Sequence, residues 1–199
     1  DGKTYRMADV SYPDAVKIMR AFVKKRRVPD CSLCVEVAYL DIEQMKSTFT
    51  ELATLLLGDA KQAKSFMTKA KLHSMEELED SWWNLYEKLL STGRVVELSL
   101  KIELEDFLYY VQKLIHNKNL STDENLTGDV SIDTSAFDDS QCIGDWCAYF
   151  NSTWKNQKLV GMDIGTDSLV LMVLSNEEFK TAQELAKELL HRIDVAERL

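Results

Sequence analysis

The chain has 199 residues, 45% of them hydrophobic, enough for one compact domain with a real core, or for one domain with a helical appendage. No apolar run approaches the roughly eighteen residues of a membrane span, so no spanning segment and no membrane partner is expected. A formal net charge of −9 repels phosphate backbones, so nucleic acid is not expected as a partner of most of the surface.

The charge is unevenly spread. Residues 1–40 hold eight Lys/Arg against five Asp/Glu, while residues 41–199 hold sixteen against twenty-eight. The expected organisation is an N-terminal helical appendage over 1–40 and a single domain over 41–199. In the appendage, "SYPDAVKIMRAFVKKRRV" places Pro13 near a first helical turn, where its missing N–H costs nothing. Val16, Met19, Phe22 and Val23 form one stripe. Lys24–Arg27 suit a helix C-terminus, with a phosphate-binding patch or targeting signal as the alternative. Pro29 ends the helix, and "CSLCVEVAYL" alternates as a strand.

"DIEQMKSTFTELATLLLG" predicts a helix with Ile42, Met45, Phe49, Leu52, Ala53 and Leu56 on one face and Gly58 as its cap. "DAKQAKSFMTKAK" repeats the period with Ala60, Ala63, Phe66, Met67 and Ala70. "SMEELEDSWWNLYEKLLSTG" opens on a capping box, Ser74 with Glu77, and stops at Gly93. Its stripe is Met75, Leu78, Trp82, Leu85, Tyr86 and Leu89, which the core should claim. Trp83 lies about 100° around the helix. Its burial is expected, since a helix packed between a sheet and another helix is ordinarily covered on that flank; if nothing covers it, Trp83 is a contact site.

"RVVELSL" alternates as a half-buried strand, and "ELEDFLYYVQKLIH" is helical with Leu104, Phe107, Leu108, Val111, Leu114 and Ile115 together. A long acidic loop is expected over 117–141. From Ser121 to Asp145 there are seven acidic residues and no Lys or Arg. A short strand at "VSI" would interrupt it. "CIGDWCAYFNSTWKNQ" predicts a helix. "KLVGMDIGTDSLVLMVL" predicts a β-hairpin whose second strand is apolar on both faces, as a central strand should be. "SNEEFKTAQELAKELLHRI" begins with a second capping box, Ser175 with Glu178. A last short strand fits Ile193–Val195. The fold class is therefore α+β: a small antiparallel sheet with a C-terminal β-hairpin, packed against several amphipathic helices.

Three stretches, "ELATLLLGD", "WWNLYEKLLSTGRVVELSLKIELEDFLYYVQKL" and "LVGMDIGTDSLVLMVLSNEEFKTAQELAKEL", resemble a bacterial family known as domain of unknown function 6630. The family pattern runs from a Trp-bearing helix through a Gly turn into a strand ending Asp-Trp-Lys. Here Ser99 and Leu100 stand in place of Asp-Trp. The resemblance implies an architecture and no reaction, and residues 1–40 lie outside it.

Chemical signatures are sparse. The seven glycines form no G-x-G-x-x-G, phosphate-binding loop or nucleophile elbow. His73, His116 and His191 sit singly near predicted helix ends, where the dipole favours them. The four cysteines fall in two pairs, Cys31 with Cys34 and Cys142 with Cys147. Buried thiols of a reduced, cytoplasmic protein are the expectation; zinc and a disulfide are the alternatives. "DENLTGDVSIDT" sets Asp123, Asn125, Thr127 and Asp129 in a loop resembling half a calcium site. Thr134 falls where the bidentate Glu should be, so a polar Asx-rich loop is expected instead. Asp163 and Asp167 flank a turn that needs Asp and Gly for backbone reasons alone.

No cofactor is expected. Trp83, Trp154, Tyr109 and Tyr110 lie off the core stripes, where interface anchors are found. With Asp163 and Asp167, Trp83, Trp154 and Tyr109 are the candidate binding residues. The expected function is a non-catalytic protein-interaction module with a protein partner, in one version an immunity-like protein facing a basic nuclease. The alternative is a hydrolase or metal-dependent enzyme assembled from Asp163, Asp167, His116 and His191.

Overall fold

The computed structural model describes residues 4–7, 12–25, 34–37, 42–121, 132, 134–137 and 141–199. The chain divides into two compact units, Asp1–Asp41 and Ile42–Leu199. In the first, β1 (Thr4–Met7) pairs antiparallel with β2 (Cys34–Val37), and α1 (Tyr12–Lys25) lies between them in sequence. The α1 stripe is largely exposed: Met19 is 67% and Val23 72% accessible.

The second unit opens with α2 (Ile42–Leu57), α3 (Ala60–Met67) and α4 (Met75–Ser91). Then come β3 (Val96–Ser99), α5 (Leu104–Ser121) and α6 (Ile143–Thr153). The hairpin β4 (Gln157–Met162) and β5 (Ser168–Ser175) leads to α7 (Asn176–Glu188) and β6 (Ile193–Val195). The four strands β3–β6 form one antiparallel sheet in the order β3-β5-β4-β6. Leu169 to Leu174 are all buried, because β5 is central and helices cover both of its faces.

Alternation divides the strand residues between two cores. Val96, Leu98, Leu159, Leu169, Leu171 and Val173 meet Phe107, Val111 and Leu114 of α5 and Trp146 and Phe150 of α6. The other set, including Val160, Met162, Val170, Met172 and Leu174, is buried on the opposite face, where α7 packs on β4 and β5 and α2 packs on α7 and α4. Each fully buried Leu in these layers contributes about 2 kcal/mol.

Local chemistry sets the helix ends. Ser175 and Glu178 form the reciprocal capping box of α7: Glu178 N–H donates to Ser175 Oγ and Ser175 N–H to Glu178 Oε2. At α4 only half of the expected box forms. Glu77 N–H donates to Ser74 Oγ, but the Glu77 carboxylate reaches past the cap to His73 N–H at 2.7 Å. Helix α5 runs to Ser121, past the start expected for a loop at 117. Asn117 donates to Gly93 O and Lys118 to Glu178, so distant partners hold that last turn in helix. Residues 122–131, 133 and 138–140, and with them the expected strand at "VSI" apart from Ile132, lie outside the described residues.

Candidate functional site

The stripe of α4 separates the adjacent tryptophans. Trp82 is 3% exposed and Trp83 41%. Met75, Glu79, Trp83, Tyr86 and Leu90 recur at helical spacing along one flank. Met75, expected on the core stripe, and Trp83, expected under cover, are instead exposed there with Leu90, because no described element packs over this flank; Tyr86 is buried and meets the Trp83 ring at 5.2 Å between centroids and 63°. Glu76, Glu79, Asp80 and Glu87 are exposed on the same helix. The result is an apolar line centred on an aromatic ring and bordered by carboxylates.

The sheet extends this flank. The Tyr86 hydroxyl donates to Glu97 Oε2 at 2.6 Å, tying α4 to edge strand β3. Burial, then the Glu97 bond, pushes the Tyr86 hydroxyl up to about 12, while the bonds from Tyr86 and Ser168 hold Glu97 below the usual carboxylate range. Ser168 opens β5, so the β4–β5 turn lies beside the same strand. Trp82 Nε1 donates to the Asp163 carbonyl at 2.8 Å, fixing the turn against α4. The Asp163 carboxylate accepts from Gly165 N–H, and Gly165 has a positive φ that the turn requires. Asp163 and Asp167 are both exposed.

His191 completes the flank. Its ring stacks on Trp82 at 4.0 Å and 7°. Nε2 is enclosed, has no hydrogen-bond partner among the described residues, and lies 3.8 Å from Glu79 Oε1. Burial lowers the His191 pKa, and Glu79 and Asp163 pull the other way. The preceding residue, Leu190, has φ 62, and it is the left-handed residue of a helix stop. Leu190 N–H donates to Lys187 O and His191 N–H to Ala186 O, which swings the imidazole back onto Trp82.

The remaining expected residues scatter. Tyr109 is 59% exposed on α5, across the sheet from Trp83, with its ring edge on Tyr110. Trp154 is partly buried on Phe150 at 5.0 Å and belongs to the α5–α6 core. His116 is exposed within α5, on the opposite helical layer from His191. His73 is not solitary, since Glu77 accepts from it at its backbone and contacts Nδ1. Cys142 is an exposed free thiol donating to Asp145, and Cys147 is a free thiol whose pKa burial pushes up to about 12. Cys34 lies in β2, and Cys31, Asp123, Asn125, Thr127 and Asp129 lie outside the described residues. Among the described residues no group of three or more His, Cys, Asp and Glu is placed to hold a metal ion.

Sequence reasoning missed Glu79 and Glu97 as members of this flank, and it named His191 with Asp163 for an enzyme site without foreseeing its stack on Trp82. A buried tyrosine hydroxyl needs a partner, and that rule alone could have pointed from Tyr86 to an acid on the neighbouring strand.

The site thus belongs to an α+β protein whose exposed chemistry is aromatic and acidic. A family model, Domain of unknown function (DUF6630), matches residues 40–196, and the chain belongs to that family. No curated protein and no solved structure gives a match. Among the described residues no helix is long and apolar enough to cross a membrane.

Proposed function

We propose that this protein is a non-catalytic interaction module whose α4 flank docks a basic protein. One observation carries the reading: Trp83, at 41% exposure, stands between the exposed Met75 and Leu90 with acidic residues around it. A half-exposed tryptophan supplies a large rigid anchor, and the carboxylates steer a cationic partner and fix its register. An immunity-like protein that covers a basic nuclease is the concrete form of this reading. The same carboxylates oppose nucleic acid. The free thiols Cys142 and Cys147 suit a cytoplasmic location.

The second reading, a hydrolase or metal-dependent enzyme, draws on the approach of His191 to Asp163 and Glu79. It requires His191 Nε2 to reach a substrate, and that atom is enclosed.

Affinity capture on the immobilised chain tests the proposal. The wild type should retain a basic protein that elutes with salt, and Trp83→Ala and Glu79→Lys should each lose it while melting near the wild-type temperature. Retention that is indifferent to both substitutions, or no basic protein retained, overturns it.

A further inference from the structure

Helix α1 carries the complement of the α4 flank. Val16, Met19 and Val23 recur at i, i+3 and i+7, with Phe22 beside them. Met19, Phe22 and Val23 are all exposed. Lys17, Arg20 and Lys24 border the stripe and are exposed too. Residues 12–27 contain six Lys/Arg and one Asp. A fourteen-residue helix is marginal alone and needs a surface for its apolar face. The helix also lies outside the residues matched by the family, 40–196.

We propose that α1 of one copy docks through Met19, Phe22 and Val23 onto the acidic Trp83 flank of a second copy. This rests on the reading of that flank as a docking surface and gives it a further occupant, the basic helix of another copy. The dimensions agree: α1 is about 21 Å long, and Met75 to Leu90 spans about 22 Å. The borders agree as well, with Lys17, Arg20 and Lys24 facing Glu76, Glu79, Asp80 and Glu87. Charge selects the occupant. Anionic lipid would attract α1 but repel a body holding sixteen Lys/Arg against twenty-eight Asp/Glu. The acidic flank of a second copy attracts α1 and buries its stripe in the same act. One helix laid along one helix flank covers on the order of 1,000 Å² or less, the range of weak and transient complexes. Salt should weaken it further.

Sedimentation of the full chain over a concentration series is the test. The wild type should associate at low salt and dissociate as salt rises. Met19→Glu/Val23→Glu and Trp83→Ala/Leu90→Ala should each stay monomeric while showing a cooperative melt that reports an intact fold. An equimolar mixture of the two variants should form a one-to-one complex, because each supplies the half the other lacks. A monomeric wild type, association that survives either double substitution, or a mixture that fails to pair overturns the proposal. So does binding to phosphatidylglycerol vesicles through Met19 and Val23 without self-association, which assigns the helix to lipid. A monomeric wild type that still captures a basic protein through Trp83 overturns the self-docking alone. Loss of both behaviours removes the docking surface as well.

Discussion

Tyr86 and Glu97 join helix α4 to edge strand β3 through a 2.6 Å hydrogen bond, and the Tyr86 ring packs against the exposed Trp83 ring. The bond makes the flank rigid where a partner would press on it. Tyr86→Phe removes the hydroxyl and keeps the packing. A hydrogen bond to a charged group is worth about 1.5 kcal/mol at the low end, appropriate for an exposed acceptor. The Tm should fall by about 3–6 °C. The loss should also depend on pH. Glu97 is held below its ordinary value of 4.5 in the folded state. Its contribution is therefore present above that value and disappears as pH falls through the folded one. Melts of wild type and Tyr86→Phe should differ at about pH 6 and converge toward about pH 3. A constant difference would show that the hydroxyl acts through packing alone.

His191 on Trp82 sets a second pH dependence of the same direction and a different window. Burial lowers the His191 pKa below the ordinary 6.5. Below that value the unfolded chain binds a proton that the folded chain refuses, so stability is full above 6.5 and is lost as pH falls beneath it. Wild-type Tm should drop between about pH 7.5 and about pH 5.5. His191→Gln should flatten that slope. Equal slopes in the two proteins would place the titrating group elsewhere.

These two contacts mark where sequence reasoning stops. Periodicity reports which face of an element seeks cover, and it placed Trp82, Leu85 and Leu89 in the core and β5 at the centre of the sheet. It does not report what does the covering. Trp82 and His191 are far apart in sequence, and no pattern links them until α7 and β6 bring the imidazole round. The Ser175–Glu178 box was legible because both partners are local, and it formed. The Ser74–Glu77 box was equally legible and formed only half, because His73 N–H lay within reach of the same carboxylate. The end of α5 was illegible for a related reason: Asn117 and Lys118 find Gly93 and Glu178 in space, and neither partner is near in sequence. Trp83, expected under cover, is exposed for the same cause, since only the tertiary arrangement leaves its flank uncovered.

Two helices end in the same motif with different residues in the left-handed position. Gly93 has φ 68 after α4, and Leu190 has φ 62 after α7. A left-handed leucine costs about 1–2 kcal/mol. Leu190→Gly should recover part of that, reduced by the larger entropy that glycine loses on folding, for a net gain of about 0.5 kcal/mol in urea unfolding. Gly93→Ala should go the other way. Its Cβ would meet Asn117 Nδ2 at 2.7 Å, on the side chain that donates to Gly93 O. The left-handed cost and that clash together should remove about 2 kcal/mol. If Leu190→Gly is destabilising instead, the leucine side chain contributes more by packing than its backbone costs.

The pair that closes the other end of the sheet is Lys118 and Glu178. Lys118 Nζ lies 2.7 Å from both carboxylate oxygens, and Lys118 is 9% exposed. Burial alone would raise the Glu178 pKa; the bond from Lys118 and those from Ser175 outweigh it and hold it below the usual range. One carboxylate thus anchors the last turn of α5 and caps the first turn of α7. Lys118→Met leaves that carboxylate half-buried and without its cation, which should cost about 3 kcal/mol. Adding Glu178→Gln should recover at least half of the loss, because the amide needs no counter-charge and its oxygen still accepts from Ser175 N–H. A double-mutant cycle read by urea unfolding separates the two terms. The wild-type contribution should persist at neutral pH and fade in acid as Glu178 takes up a proton, since a depressed carboxylate stabilises only while ionised. If the double variant is no more stable than Lys118→Met, the unpaired carboxylate is not what that variant loses, and the charge pair adds nothing to the fold.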